Sequence, residues 1–185
     1  MTAPLPFAAI LAPRNSAIDA LLADFAADLQ RQGYQVRGLI QQSHCQDAQC
    51  LYSLRDLASG ELYPISQDLG PLSQSCRLDP AGMASAAAVL RRALDQGADL
   101  VIVNRFGGLE AQGEGFAQEI GALLSLGLPV LTVVSPDHQA AWQHYSGGLG
   151  SALPALPEAW ATWFAGLPAR DAGMPSGVPG PADLR

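Results

Sequence analysis

Apolar residues along this chain keep two rhythms, and their alternation lays out a fold. FAAILA (Phe7–Ala12) is a short apolar run of the kind that makes a buried strand. Ile18, Leu21, Leu22, Phe25 and Leu29 then recur at helical spacing; Ser16 and Asp19 give the pattern a start like a capping box, and Gly33 ends it. YQVRGLIQQ (Tyr34–Gln42) reads as a second strand, so strand, helix and strand follow with connections that suit a parallel crossover. From Ser43 to Cys76 the rhythm changes. CLYSLRDLASGELYPISQ alternates and turns at Ser59-Gly60 as a β-hairpin does, and DLGPLSQS follows as a loop.

Asp79 caps the next predicted helix, with Pro80 at its first position, Met83, Ala87, Leu90 and Leu94 on one face, and Gly97 as its stop. DLVIVN (Asp99–Asn104) is aliphatic enough to be covered on both faces. Phe116, Ile120, Leu123 and Leu124 stripe a further helix closed by Gly127, and PVLTVVS (Pro129–Ser135) is the next strand. Helices are expected at Asp137–Tyr145 and Pro157–Phe164, where Trp160, Trp163 and Phe164 would pack on the sheet. The pattern predicts one α/β domain over residues 1–167, a three-layer and mainly parallel sheet with an antiparallel β-hairpin insertion at 43–78. Residues 168–185, rich in Pro, Gly and Ala, have little to bury and read as a disordered tail.

A chain of 185 residues suits a single core. Its net charge of −7 argues against nucleic acid, which requires a basic face to displace phosphate counterions. No run reaches a membrane span, and MTAPLPFAAILAPRN lacks the basic flank of a signal peptide, so a cytoplasmic location is expected. Three cysteines in no secreted pattern predict reduced thiols. All ten cationic residues are arginine. Without lysine there is no Schiff base and no lysine clamp for a phosphate, but guanidinium forks for oxyanions remain.

In an open parallel sheet, ligands bind beyond the carboxyl ends of the strands. Those ends carry Ala12-Pro13-Arg14-Asn15-Ser16, Gln41-Gln42, Asn104-Arg105-Phe106-Gly107-Gly108 and Ser135-Pro136-Asp137. If the loops converge, Arg14 and Arg105 would hold an anion with Asn15, Ser16, Asn104, Phe106 and the main chain at Gly107, Gly108, Gly113 and Gly115, with Glu110 beside them. The bland alternatives are a solvated Arg14, an Arg105 paired with Glu110 or Glu114, solvated carboxylates in that turn, and glycines that merely permit it. GEG at 113–115 completes no G-x-G-x-x-G, because Gln118 stands in the last position. A second candidate group is Cys50, Gln67, Cys76, Arg77 and Asp79, in which Arg77 would lower the Cys76 thiol pKa and Asp79 doubles as a helix cap. His44, Cys45, Cys50 and Cys76 form a zinc inventory, but with C-x₄-C rather than C-x₂-C spacing; no metal centre is expected. His138 and His144 read as residues of a solvated helix face.

IVNRFGGLEAQGEGFAQEI, ISQDLGPLSQSCRLDP (Ile65–Pro80) and AILAPRNSAIDALLADFAADLQRQGYQVRGLIQQ occur in an order that resembles a bacterial family, domain of unknown function 2478, from about Phe7 to Ser135. That family is similar to THEP1-type nucleoside-triphosphatases, so the resemblance implies a P-loop-NTPase-like fold, together with a link to molybdate-transport genes. A working P-loop is G-x-x-x-x-G-K-[ST], whereas LAPRNSAID has neither glycine nor lysine, and the strand that would present a Walker-B aspartate ends at Asn104. Binding is therefore expected rather than catalysis, with no catalytic residue named. The leading reading is a small-anion-binding protein with a degenerate site, molybdate, tungstate or a phosphate-bearing molecule being its ligand. The alternatives are a nucleotide-binding protein or weak NTPase with an altered metal site, a transferase using Cys76, and a regulatory or scaffolding subunit that docks through Trp160 and Trp163. The implied partners are a small anion or nucleotide, a second copy of the chain, or a molybdate-transport component.

Overall fold

The computed structural model describes residues 5–14, 17–46, 49–66 and 78–168. Its elements are β1 (Phe7–Leu11), α1 (Ile18–Arg31), β2 (Val36–Gln46), β3 (Gln49–Asp56), β4 (Leu62–Pro64), α2 (Pro80–Gln96) and β5 (Leu100–Phe106). They continue with α3 (Gly108–Ala111), α4 (Ala117–Ser125), β6 (Val130–Val134), a 3₁₀ turn (Pro136–His138), α5 (Gln139–Tyr145), β7 (Ser151–Pro154) and α6 (Pro157–Ala165). The strands form one seven-stranded sheet in the order β4-β3-β2-β5-β6-β1-β7. β2, β5, β6, β1 and β7 run parallel, and β3 and β4 add antiparallel strands beyond β2.

The two faces carry separate cores, which makes the domain three-layered. α1 and α6 cover one face with Ile18, Leu22, Phe25, Trp160 and Trp163; α2, α4 and α5 cover the other with Leu90, Ile120, Leu123 and Trp142. β5 and β6 lie between the two layers, which is why their sequences are aliphatic on successive residues. Trp160 and Trp163 are buried as their spacing suggests, and their indole N–H groups donate to the carbonyls of Pro154 and Leu5. Among the described residues no helix is long and apolar enough to cross a membrane.

Several elements differ from expectation. β2 runs on to Gln46, so residues 43–46 extend the sheet; the hairpin that follows is an edge of the same sheet. The polar run at 42–46 carries no apolar signal, and pairing with β3 holds it extended. Cys45 and Cys50, opposite each other in that pairing, form a disulfide, which overturns the expectation of reduced thiols. The hairpin turn falls where expected: Gly60 takes a φ of 78°, and Asp56 anchors the turn. α1 starts behind Ala17, whose methyl side chain can accept no hydrogen bond, so the helix has no side-chain cap; Asp19 pairs with Arg105, and Ser16 lies outside the described residues. The helix expected from Asp137 begins as the 3₁₀ turn, and β7 and α3 are additional elements. Of the expected tail, residues 169–185 lie outside the described residues.

Candidate functional site

The carboxyl ends of β1, β5 and β6 open into a cavity of about 690 Å³. Arg14, from the loop after β1, and Arg105, near the end of β5, both line it, together with Phe106, Gly107 and Gly108. Gln41 of β2, Tyr52 of β3, Ile65 and Ser66 after β4, and Leu78 before α2 extend the wall sideways. Leu109, Gln112, Val133, Ser135 and His138 complete it. Among the described residues the wall contains no Asp or Glu, although the chain has 17 of them.

The two arginines are held differently. Arg14 is mostly exposed, and its Nε lies 3.8 Å from Asp137, an open pair in water that a competing anion can replace at little cost. Arg105 is anchored: its Nη2 donates to both carboxylate oxygens of Asp19 at 2.9 Å, and its Nε is buried with no partner. Its partner is thus Asp19 of α1, and neither Glu110 nor Glu114. A half-buried guanidinium fixed on one side by a carboxylate keeps its orientation without losing its charge.

Asn104 is the extra residue of a β-bulge, since Val103 pairs with Thr132 and Arg105 with Val133. Backbone pairing of β2 with β5 stops at Leu39, and the Asn104 Oδ1 takes over by accepting the N–H of Gln41 at 3.0 Å. Asn104 is buried and absent from the cavity wall; what the position supplies is an acceptor for the sheet. Glu110 corrects the expectation of a solvated turn carboxylate. It is 5% exposed, and its two oxygens accept the N–H groups of Gly107 at 3.0 Å and Phe116 at 3.1 Å, stapling both ends of the turn. Gly115, at φ 57°, makes room for it, because a Cβ there would lie 2.2 Å from Oε1. Gly113 also has positive φ, and neither glycine lines the cavity.

His138 corrects the reading of a solvated helix face. It is half-buried in the cavity wall, with its Nδ1 3.0 Å from the Ser135 hydroxyl. The signal was present in the sequence: Ser135-Pro136-Asp137 is a strand end, and the imidazole lies one residue further on. His144 is not in the wall.

The second candidate group does not assemble within the described residues. Gln67, Cys76 and Arg77 lie outside them, as do Asn15 and Ser16 of the first group. Cys50 is bound to Cys45, so two sulfurs of the zinc inventory are oxidised, and no cluster of potential metal ligands occurs among the described residues. Asp79 caps α2 by accepting the N–H of Ala81 at 3.0 Å. Asp56 sits under the β3–β4 turn. Burial pushes its carboxyl pKa up, but hydrogen bonds from the Ala58 N–H, the Ser59 hydroxyl and Arg92 outweigh that and lower it overall.

Comparison with known proteins places this architecture. The solution structure of a human cancer-related nucleoside triphosphatase matches with a TM-score of 0.60 at 18% identity, covering 79% of this chain and 86% of that one. The crystal structure of THEP1 from the hyperthermophile Aquifex aeolicus matches with a TM-score of 0.60 at 12% identity, covering 85% and 94%. At these identities the likeness establishes the P-loop-NTPase fold. In sequence, the molybdenum import ATP-binding protein ModC 2 of Bradyrhizobium diazoefficiens is 35% identical over 159 residues, which are 85% of this chain but only 18% of that protein. A family model matches residues 7–163, and the chain belongs to that family, described as protein of unknown function DUF2478.

Proposed function

We propose that this chain binds a small anion, or a molecule that carries one, in the cavity at the carboxyl ends of β1, β5 and β6. One observation carries the reading: Arg14 and Arg105, far apart in sequence, line the same hollow beside the glycine main chain of the β5 end, with no acid among its described lining residues. Two guanidinium groups with no carboxylate in the described wall suit an oxyanion, and the anchored Arg105 pre-orients one of them. Asn15 and Ser16 belong to the proposed site by their place in the sequence directly after Arg14. Glu110, Asn104, Gly113 and Gly115 support it by shaping the turn.

Binding is favoured over turnover because the chain has no lysine, and because the oxygens of Glu110 and the Oδ1 of Asn104 are held by backbone N–H groups. The scaffolding alternative loses its anchor with Trp160 and Trp163 buried in the domain. Molybdate and tungstate are the first ligands to try, since the relative named for molybdenum import shares most of this chain's length. Association with a molybdate-transport component, in the cytoplasm, belongs to the same proposal. Calorimetric titration with molybdate, tungstate, sulfate, phosphate and nucleotides is the test. Binding that weakens in Arg14→Leu and Arg105→Leu supports the reading; no heat with any of these ligands removes it.

A further inference from the structure

The cavity wall is not uniform across the sheet. Arg14, Arg105 and His138 come from the ends of β1, β5 and β6, which are neighbours in the sheet. Toward the antiparallel edge the wall becomes Gln41 on β2, Tyr52 on β3, and Ile65 and Leu78 flanking it. From β5 to β3 is two strand spacings, about 10 Å at about 4.8 Å per strand.

That apolar side is built rather than incidental. The N–H of Ile65 donates to the carbonyl of Tyr52 at 2.9 Å, and the N–H of Asp79 to the carbonyl of Ile65 at 2.8 Å. Ser66 bridges to Leu78 and exchanges hydrogen bonds with the Tyr52 backbone. Three chain segments are thus fixed together around one exposed aromatic ring; Tyr52 is 39% exposed and Leu78 36%. The cavity volume falls within the range of about 300–1,000 Å³ typical of sites for organic ligands.

Resting on the anion-binding reading, we infer that the β3–β4 edge forms a second subsite for a planar ring, and that the ligand is a phosphorylated heterocycle of mononucleotide size. The phosphate lies toward Arg105 and Arg14, and the ring lies against Tyr52 between Ile65 and Leu78. Stacking on an aromatic side chain tolerates different rings, so the tyrosine sets the class of ligand and the polar Gln41 and Ser66 select within it.

The test titrates the full chain with inorganic phosphate, molybdate, AMP, GMP, flavin mononucleotide and pyridoxal phosphate, and repeats the series with Tyr52→Ala and Tyr52→Phe. At least one ring-bearing phosphate should bind about tenfold or more tighter than inorganic phosphate. Tyr52→Ala should remove that advantage while leaving inorganic phosphate unchanged, and Tyr52→Phe should retain it. Thermal melts establish that the variants fold, and loss of ring-dependent affinity in a folded Tyr52→Ala supports the subsite. If phosphate or molybdate binds as tightly as every ring-bearing ligand, or Tyr52→Ala keeps the full advantage, the subsite is overturned and anion binding stands. If none of the six binds, the subsite is overturned, and if tungstate and sulfate fail as well, the anion-binding reading falls with it.

Discussion

Glu110 offers a direct test of how the turn after β5 is held. Replacing it with glutamine keeps the shape but removes the charge and turns one of two acceptor oxygens into a donor. Its present oxygens accept the N–H groups of Gly107 and Phe116, and the side chain is almost fully buried. Hydrogen bonds to a charged group are worth about 1.5–3 kcal/mol and neutral ones about 0.5–1.5 kcal/mol. One bond is lost outright with two N–H groups left facing each other, and the other loses its charge assistance; release of a buried charge offsets part of this. The net cost should be about 2–3 kcal/mol, or a fall of about 5–10 °C in melting temperature for a domain of this size. Urea unfolding followed by tryptophan fluorescence, with calorimetric ΔH as a check on two-state behaviour, measures it. A Glu110→Gln protein within about 0.5 kcal/mol of the parent would refute the staple and return Glu110 to the pool of carboxylates free for chemistry.

The other predictions concern the anchors around the site. Gly115→Ala should cost about 2–4 kcal/mol in the same unfolding assay, because positive φ disfavours a Cβ that would also collide with Glu110. Arg105→Leu should lower both stability and anion affinity, since it leaves Asp19 partly buried and unpaired; Asp19→Leu added to it should restore stability but not binding, as measured in a double-mutant cycle. Asp56 has a folded pKa below its unfolded one, so its contribution is full above about pH 4 and is lost as pH falls through the lower folded value. The stability gap between the parent and Asp56→Asn should accordingly narrow as pH falls below about 4. Dithiothreitol should lower the unfolding free energy by up to about 2 kcal/mol through the Cys45–Cys50 bond, which closes only a short loop, and Cys45→Ser/Cys50→Ser should be indifferent to it.

The strands that build the floor of the site were legible because burial on both faces demands aliphatic residues at successive positions, as in VIV of β5 and VLTVV of β6. Asp79-Pro80 was legible because capping is local chemistry. β7 was not: Ser151–Pro154 is half-exposed, and its place beside β1 comes from pairing with a distant segment. The burial of Trp142 depends likewise on Gly150, where a Cβ would lie 2.4 Å from the indole. Glu110 and Asn104 misled for a common reason. Sequence position suggested a ligand contact for Asn104 and a ligand contact or solvent for Glu110, whereas each substitutes for a missing backbone partner, a role visible only once register is known. Arg14 and Arg105 could be named from strand ends, but the identity of Arg105's partner required the position of α1.

Sorting the polar groups at the strand ends by their partners leaves an asymmetry that bears on the proposed function. Asn104, Glu110 and Asp79 are occupied with backbone N–H groups, and Asp19 with Arg105. The groups left on the wall are guanidinium, imidazole, amide, hydroxyl and main chain, with no carboxylate among the described lining residues. A hard divalent cation prefers charged oxygen ligands, and the described wall offers it neutral ones alone, from hydroxyl, amide and main-chain groups. On the proposed reading negative charge arrives with the ligand, and the cationic and neutral side chains of the described lining suit that arrangement. The net charge of −7 sharpens the point, because a chain rich in acids places none among the described residues that line this hollow.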